Sequence, residues 1–141
     1  MVPRMLVSPS IGARRGEIEK ILKAGGLTNP HPDLLHFPSD AKLGVEQARK
    51  IKEHLSYKPN QAKGKMVVME NASILTTEAQ NALLKTLEEP PEQALVLLGV
   101  KSESDLLPTV NSRCQVIHLK DPMSQYGPTS EVGYVKYIAE L

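Results

Sequence analysis

Residues 81–91 constrain the fold more than any other part of the sequence, because they begin as a helix and end at two prolines. They read Asn-Ala-Leu-Leu-Lys-Thr-Leu-Glu-Glu-Pro-Pro. Neither proline can continue a helix, and Pro90 also disfavours helical angles at the residue before it. Apolar residues recur at helical spacing through this region, which predicts that one face packs on a core: Ala79, Ala82, Leu83 and Leu87.

Two apolar stretches flank this helix and have the length of buried strands. Residues 65–69 precede it and residues 94–99 follow it. A strand, a helix and a strand in so few residues predict a βαβ unit, and therefore a parallel sheet. Thr77 is predicted to cap the helix, with Gln80 three residues later completing a capping box.

The composition indicates one ordinary domain without a disulfide. The chain has 141 residues, of which 40% are hydrophobic and 4% aromatic, with a net charge of +1. The single cysteine, Cys114, excludes an internal disulfide and a cysteine-rich zinc site. No apolar run approaches the roughly 20 residues that span a bilayer, so we expect a cytoplasmic protein without a membrane segment.

Alternating strand and helix patterns along the chain predict an α/β fold with a five-stranded parallel sheet. Further strands are predicted at residues 5–7, 31–38 and 115–119, and helices at residues 17–24 and 45–55, the latter with Val45 directed inward. The composition changes after residue 120. Residues 121–130 have the character of a linker, and residues 131–141 are predicted to form a short helix.

The sequence also resembles a known family through two motifs. Residues 81–91, followed by Leu-Pro-Thr-Val-Asn-Ser-Arg-Cys at residues 107–114, resemble the gamma/tau and delta-prime AAA+ subunits of the bacterial DNA polymerase III clamp loader. The resemblance extends over residues 31–119. It implies a doubly wound P-loop NTPase core with strand order 5-1-4-3-2. We expect this AAA+ core at residues 1–120, without the lid and collar domains of the family.

The resemblance places a phosphate-binding loop between the first strand and the first helix. Such a loop needs glycines for close approach to phosphate, a Lys for the terminal phosphates and a Ser or Thr for magnesium. Here Gly12 is the single glycine, and two arginines stand where Lys-Ser/Thr is required. We therefore predict a degenerate loop in a crevice that stays empty, formed by Ser8, Pro9, Gly12, Arg14 and Arg15.

Two other parts of the nucleotide machinery differ from an active AAA+ ATPase. The acidic pair after the third strand is Glu70-Asn71, and an asparagine cannot act as a general base toward water. We expect Glu70 to be an exposed acid beside a helix. Val100 and Lys101 occupy the positions where the family has a polar sensor of the γ-phosphate.

Arg113 lies in the Ser-Arg-Cys motif with Ser112 and Cys114. In the resembled family this arginine enters the ATP site of the neighbouring subunit. A guanidinium suits that task because it is always charged and its planar fork matches phosphate oxygens. The alternative is a surface ion pair. Cys114 is interpreted as a small buried residue leading into the strand rather than a nucleophile.

A basic stretch suggests a possible contact with DNA. Residues 42–65 contain seven Lys or Arg and two Glu. Within it Arg49, Lys50 and Lys52 form either a solvated helix face or a contact to the DNA backbone. His31 and His36 are the obvious pair of metal ligands, but no cysteine lies near them, and no metal site is predicted.

Together these features favour a non-catalytic, delta-prime-like clamp-loader subunit that donates Arg113 in trans. ATP and magnesium are then expected on a neighbouring subunit and not on this chain. The expected partners are the gamma/tau and delta subunits and, through the assembly, the sliding clamp and primed DNA. Two alternatives stay open: an active gamma-like ATPase with an unusual phosphate loop, and a stand-alone DNA-binding module.

Overall fold

Five parallel strands form the centre of the molecule. The computed structural model describes residues 1–59, 62 and 64–120. The strands are β1 (Arg4–Val7), β2 (Leu34–Phe37), β3 (Lys65–Met69), β4 (Ala94–Val100) and β5 (Gln115–His118). They pair in the order β2-β3-β4-β1-β5, and every pairing is parallel. This confirms the predicted five-stranded sheet and its strand order.

Helices cover both faces of this sheet. They are α1 (Ile11–Ala24), α2 (Val45–Ser56), α3 (Thr77–Glu88) and the single turn α4 (Pro108–Asn111). One face packs against α2 and α3 through residues such as Val67, Leu98 and Leu83. The other packs against α1, where Ile18 and Leu22 are buried. Strands β3 and β4 are buried along their whole length, as expected when a parallel sheet has helices on both faces.

The N-cap of helix α3 lies one residue before the predicted one. Thr76, not Thr77, is the N-cap, and its Oγ1 accepts a hydrogen bond from the backbone N–H of Ala79 at 3.0 Å. The two threonines are adjacent, so the local pattern could not separate them. Gln80 therefore lies one position too late for a capping box. It is buried and instead donates to the Leu75 carbonyl oxygen and accepts from the Leu107 N–H.

Two other predicted helices need correction. Helix α1 begins at Ile11 rather than at residue 17, because the Ser10 hydroxyl caps it by accepting from the Ala13 N–H at 3.1 Å. The residues predicted to form a loop are thus mostly helical. In α2, Val45 is 38% exposed, so it is not directed into the core as predicted.

The predicted linker and helix at residues 121–141 lie outside the described residues and stay predictions. Within residues 1–59, 62 and 64–120, no helix combines the length and apolar character that a bilayer-spanning segment needs.

Candidate functional site

The sheet brings three predicted segments together at the carboxyl ends of its strands. The Ser8 N–H, just after β1, donates to the Val100 carbonyl oxygen at 3.0 Å. Gly99 lies so close to β3 that a Cβ there would stand 2.6 Å from the Glu70 carbonyl oxygen. The ends of β1, β3 and β4 therefore lie side by side at one edge of the sheet.

Arg14 occupies the centre of this edge. Its side chain is 1% exposed. Nη1 donates to the Ser8 carbonyl oxygen at 2.6 Å, and Nε donates to the Glu70 carbonyl oxygen at 3.2 Å. A phosphate-binding loop presents backbone N–H groups to an anion. Here the Ser8 and Glu70 carbonyl oxygens point inward instead and accept hydrogen bonds from the Arg14 guanidinium.

Burial is the main reason why the pKa of Arg14 is lowered from its ordinary value. The neighbouring Arg15 lowers this pKa further, whereas the Glu70 carboxylate raises it. Arginine keeps its proton under almost all conditions. The guanidinium is therefore a buried cation whose charge is balanced by the two carbonyl oxygens and by Glu70.

Glu70 is not the exposed acid that the sequence suggested, since it is only 7% exposed. Its Oε1 accepts from Arg15 Nε at 3.0 Å, and its Oε2 lies 2.6 Å from His36 Nε2. His36 lies near the end of β2, and Arg15 lies in the first turns of α1. Both carboxylate oxygens thus have partners within the chain.

His36 lies within ion-pair distance of Glu70 and has a second contact. Its Nδ1 lies 2.8 Å from Asn29 Nδ2. With the Asn29 amide donating, Nδ1 is the acceptor of this hydrogen bond, and Nε2 is left to face the Glu70 carboxylate. His31 does not join this cluster, because its Nδ1 accepts from the Asp33 N–H. Among the described residues, no group of three or more His, Cys, Asp or Glu side chains could hold a metal ion.

The remaining positions of the nucleotide machinery also lie at this edge. The Asn71 Oδ1 is buried without a hydrogen-bond partner in the described part of the chain. Val100 is fully buried. The Lys101 side chain is exposed, and its backbone N–H donates to Ser73 Oγ at 3.0 Å. None of these side chains presents a carboxylate that could activate water.

Arg113 lies at the opposite edge of the sheet, where β5 begins. It follows α4 and precedes β5 by two residues. Its Nη1 donates to the Thr109 carbonyl oxygen at 2.7 Å, and its Nη2 lies 3.4 Å from Glu88 Oε2. The side chain is 28% exposed, and Nε is buried without a partner among the described residues.

The register of β1 and β5 separates Arg113 from the crevice. Arg4 pairs with Gln115, at the amino end of both strands, whereas Ser8 follows the carboxyl end of β1. Arg4 and Ser8 are four residues apart, and along an extended strand this separation corresponds to roughly 13 Å. Arg113 lies beyond the amino end, so it does not serve the crevice of its own chain.

The neighbours of Arg113 in the motif have structural contacts. The Ser112 hydroxyl donates to the Thr109 carbonyl oxygen at 3.0 Å. Cys114 is partly buried, and burial raises the pKa of its thiol to about 11. A thiol with such a pKa is almost entirely protonated at neutral pH, which agrees with a packing role rather than a nucleophilic one.

The basic residues of α2 lie on its solvent face. Arg49, Lys50 and Lys52 are exposed, while Ala48, Ile51 and Leu55 face the core. Lys52 also lines a cleft of about 240 Å³ together with Lys85 of α3. These four basic residues, Arg49, Lys50, Lys52 and Lys85, are called the α2–α3 basic surface below.

Three partners were missed by the sequence interpretation: His36 for Glu70, Lys85 for the basic surface and Glu88 for Arg113. Each is distant in the chain from the residue that it joins. For Glu88 a local signal existed, because a carboxylate in the last turn of a helix is disfavoured by the helix dipole. Such a placement suggests a nearby cation.

Known proteins resemble this chain over most of its length. A family model described as "DNA polymerase III, delta subunit" matches residues 26–123. DNA polymerase III subunit delta' of Escherichia coli K12 is 39% identical over 102 residues, which are 70% of this chain and 30% of that protein. DNA polymerase III subunit tau of Bacillus subtilis is 33% identical over 101 residues, 71% of this chain and 18% of that protein.

A solved structure shares the fold. A DNA polymerase III gamma subunit-related protein from Thermotoga maritima superposes with a TM-score of 0.78 at 27% sequence identity, covering 89% of this chain and 43% of that one. The chain thus spans less than a third of the two relatives above and less than half of this structure.

Proposed function

Because the chain belongs to the DNA polymerase III clamp-loader family of AAA+ subunits and is delta-prime-like, we propose that it is a non-catalytic subunit that donates Arg113 to the ATP site of a neighbouring subunit. The observation that carries this proposal is the placement of two arginines. Arg14 is buried against the ends of β1 and β3, where the family has its phosphate-binding loop, while Arg113 lies partly exposed at the opposite edge of the sheet.

The contacts of Arg14 support the absence of ATP hydrolysis by this chain. A nucleotide in the crevice would have to displace a buried guanidinium from the carbonyl oxygens of Ser8 and Glu70. Glu70 is already bound by Arg15 and His36, so it is not free to organise a magnesium ion. Asn71 supplies no carboxylate for water activation. ATP and magnesium are therefore assigned to the neighbour.

In that arrangement Arg113 acts on phosphate oxygens of the neighbour. Phosphoryl transfer is accelerated by positioning and by stabilising the charge on the transferred group. A guanidinium provides a permanent positive charge and parallel N–H donors for this purpose. An arginine supplied in trans contributes roughly 10³–10⁵ to the rate in related phosphoryl-transfer enzymes.

The partners in this proposal are gamma/tau and delta subunits, with the sliding clamp and primed DNA reached through the assembly. The names of the relatives support it, since they are DNA polymerase III subunits delta' and tau. The α2–α3 basic surface is proposed to contact the DNA backbone, because its four side chains are exposed on neighbouring helices.

The test is ATP hydrolysis by a mixture of this chain with the gamma/tau ATPase of the same organism. The chain is expected to stimulate hydrolysis, and Arg113→Ala is expected to remove that stimulation. Lys20→Ala, which removes an exposed charge from α1, serves as the matched control and should leave it unchanged. Equal stimulation by the wild type and Arg113→Ala would reject the arginine-finger role.

A second measurement separates the proposal from the active-ATPase alternative. Calorimetric titration of the isolated chain with ATP and magnesium is expected to give no binding up to millimolar nucleotide. Micromolar binding would contradict the proposal that this chain does not bind ATP. It would favour the gamma-like ATPase, an alternative that the sequence identity with a tau subunit also supports.

A further inference from the structure

We propose that Glu88 holds Arg113 in the free subunit and releases it when the phosphate of a neighbouring nucleotide takes its place. This inference rests on the proposed role of Arg113 as an arginine finger. It adds a second residue, from a different helix, that sets how readily the finger becomes available.

The contacts of Arg113 describe a guanidinium that is held but incompletely bonded. It makes one short hydrogen bond, from Nη1 to the Thr109 carbonyl oxygen at 2.7 Å, and a long one from the same Nη1 to Ser112 Oγ at 3.4 Å. Its ion pair with Glu88 is long, at 3.4 Å, whereas charge-assisted N–H···O contacts typically measure 2.7–2.9 Å. Its Nε has no partner in the described part of the chain. An oxyanion that accepts two hydrogen bonds from this guanidinium would be a better partner for Arg113 than Glu88 is.

The position of Glu88 is unfavourable for its own helix. Glu88 is the last residue of α3, where the unpaired carbonyl groups give the helix end a partial negative charge. A carboxylate there is repelled by the helix, and Pro90 and Pro91 prevent the helix from extending past it. Its pairing with Arg113, 25 residues away in the sequence, offsets that repulsion.

The proposed release is an exchange of one oxyanion for another at the same cation. No covalent bond changes, and no proton moves, because arginine is charged in both states. Glu88 is 59% exposed, so after the exchange its carboxylate can be hydrated by solvent. Exposed ion pairs of this kind shift an equilibrium by about 1.4- to 5-fold. Glu88 therefore sets a small bias against engagement, which the stronger phosphate contact overcomes.

Glu89 provides a matched control variant. It is the adjacent residue, carries the same charge and is exposed, but it forms no ion pair within residues 1–59, 62 and 64–120. Replacing either glutamate by glutamine changes the net charge equally. A difference between Glu88→Gln and Glu89→Gln therefore reports the contact with Arg113 rather than general electrostatics.

The experiment titrates the full chain into a fixed concentration of the gamma/tau ATPase and records the concentration that gives half-maximal stimulation. Glu88→Gln is expected to lower this concentration by about 1.4- to 5-fold, and Glu89→Gln to leave it unchanged. In the Arg113→Ala background, Glu88→Gln is expected to have no effect. A higher half-maximal concentration for Glu88→Gln would overturn the proposal and make Glu88 a residue that orients the finger.

A second readout uses the free subunit and does not depend on assembly. Restricted rotation of the Arg113 guanidinium, followed by nitrogen-15 NMR, is expected to be relieved in Glu88→Gln and retained in Glu89→Gln. Unchanged rotation in Glu88→Gln would overturn the holding role, even if Arg113→Ala abolishes stimulation. If instead the arginine-finger proposal is wrong, the Arg113→Ala variant will stimulate ATP hydrolysis as strongly as the wild type.

Discussion

Arg14 Nη1 donates a hydrogen bond of 2.6 Å to the carbonyl oxygen of Ser8, six residues earlier in the chain. The acceptor follows the last residue of β1, and the donor lies in the first turns of α1. Arg14 Nε extends the connection to the Glu70 carbonyl oxygen after β3. One buried side chain thus joins the first strand, the first helix and the third strand.

Arg14→Ala is expected to lower the free energy of unfolding by about 2–4 kcal/mol, because it removes charge-assisted hydrogen bonds and leaves two buried carbonyl oxygens without their donor. Urea unfolding followed by circular dichroism measures the change. Arg15→Ala is the control, since Arg15 is exposed and its pair with Glu70 is partly solvated. A loss for Arg14→Ala no greater than for Arg15→Ala would contradict the structural role of Arg14.

His54 is expected to make stability depend on pH. Burial and then the charge of Lys65 lower its pKa below the ordinary 6.5, outweighing hydrogen bonds to Asp33 and Met66 backbone groups that raise it. Between the lowered pKa and 6.5 the unfolded chain binds more protons, so the free energy of unfolding rises with pH in that window. The contribution is complete above pH 6.5 and is lost as the pH falls to the lowered value.

This dependence is measured by urea unfolding at a series of pH values between 5 and 7.5. His54→Gln, which cannot be protonated, should show a smaller slope than the wild type. Identical slopes would mean that His54 titrates alike in the folded and unfolded chains.

Cys114 is expected to react slowly with aromatic disulfides in the folded chain. Burial raises its pKa to about 11 from 9.0, so at pH 8 the thiolate fraction falls about a hundredfold. The higher intrinsic nucleophilicity of a more basic thiolate recovers part of this, leaving a rate roughly tenfold below that of the unfolded chain before any steric protection. Stopped-flow absorbance with and without denaturant checks the ratio, and equal rates would show an accessible, unperturbed thiol.

Lys52→Ala is expected to weaken the binding of primed DNA by the mixed assembly and to reduce its salt dependence. If Lys52 neutralises one phosphate, the slope of log K against log salt concentration decreases by about 0.9. Fluorescence anisotropy over a salt series gives the slope. Lys20→Ala on α1 is the control, and a slope that Lys52→Ala leaves unchanged would remove Lys52 from the DNA contact.

The elements of the fold followed from local patterns, but their arrangement did not. Apolar runs placed β3 and β4 within one residue of their observed bounds. Periodicity alone could not order the strands, and the order came from the family resemblance. The start of α1 was missed because residues 8–16 were interpreted as a loop, whereas the Ser10 cap and the burial of Arg14 make most of them helical.

The site was predictable in its positions and not in its contacts. The ends of β1, β3 and β4 meet at the carboxyl edge of the parallel sheet, where open α/β folds generally bind their ligands. Glu70 was misjudged because its burial is produced by Arg15 and His36, which are distant in the sequence. The pairing of Arg113 with Glu88 likewise depends on how α3 and α4 pack, because the unfavourable carboxylate at the end of α3 indicates a nearby cation but not which one.

Arg14 is buried and is covalently part of the chain, so unlike a ligand it cannot dissociate from its contacts. The free energy by which a soluble ligand stabilises a fold grows with the logarithm of its concentration above Kd, and competition or dilution removes that stabilisation. A buried side chain is present once per molecule at every concentration. The contribution of Arg14 to this domain therefore cannot be titrated away, and its hydrogen bonds to the Ser8 and Glu70 carbonyl oxygens join the ends of β1 and β3 without needing a ligand.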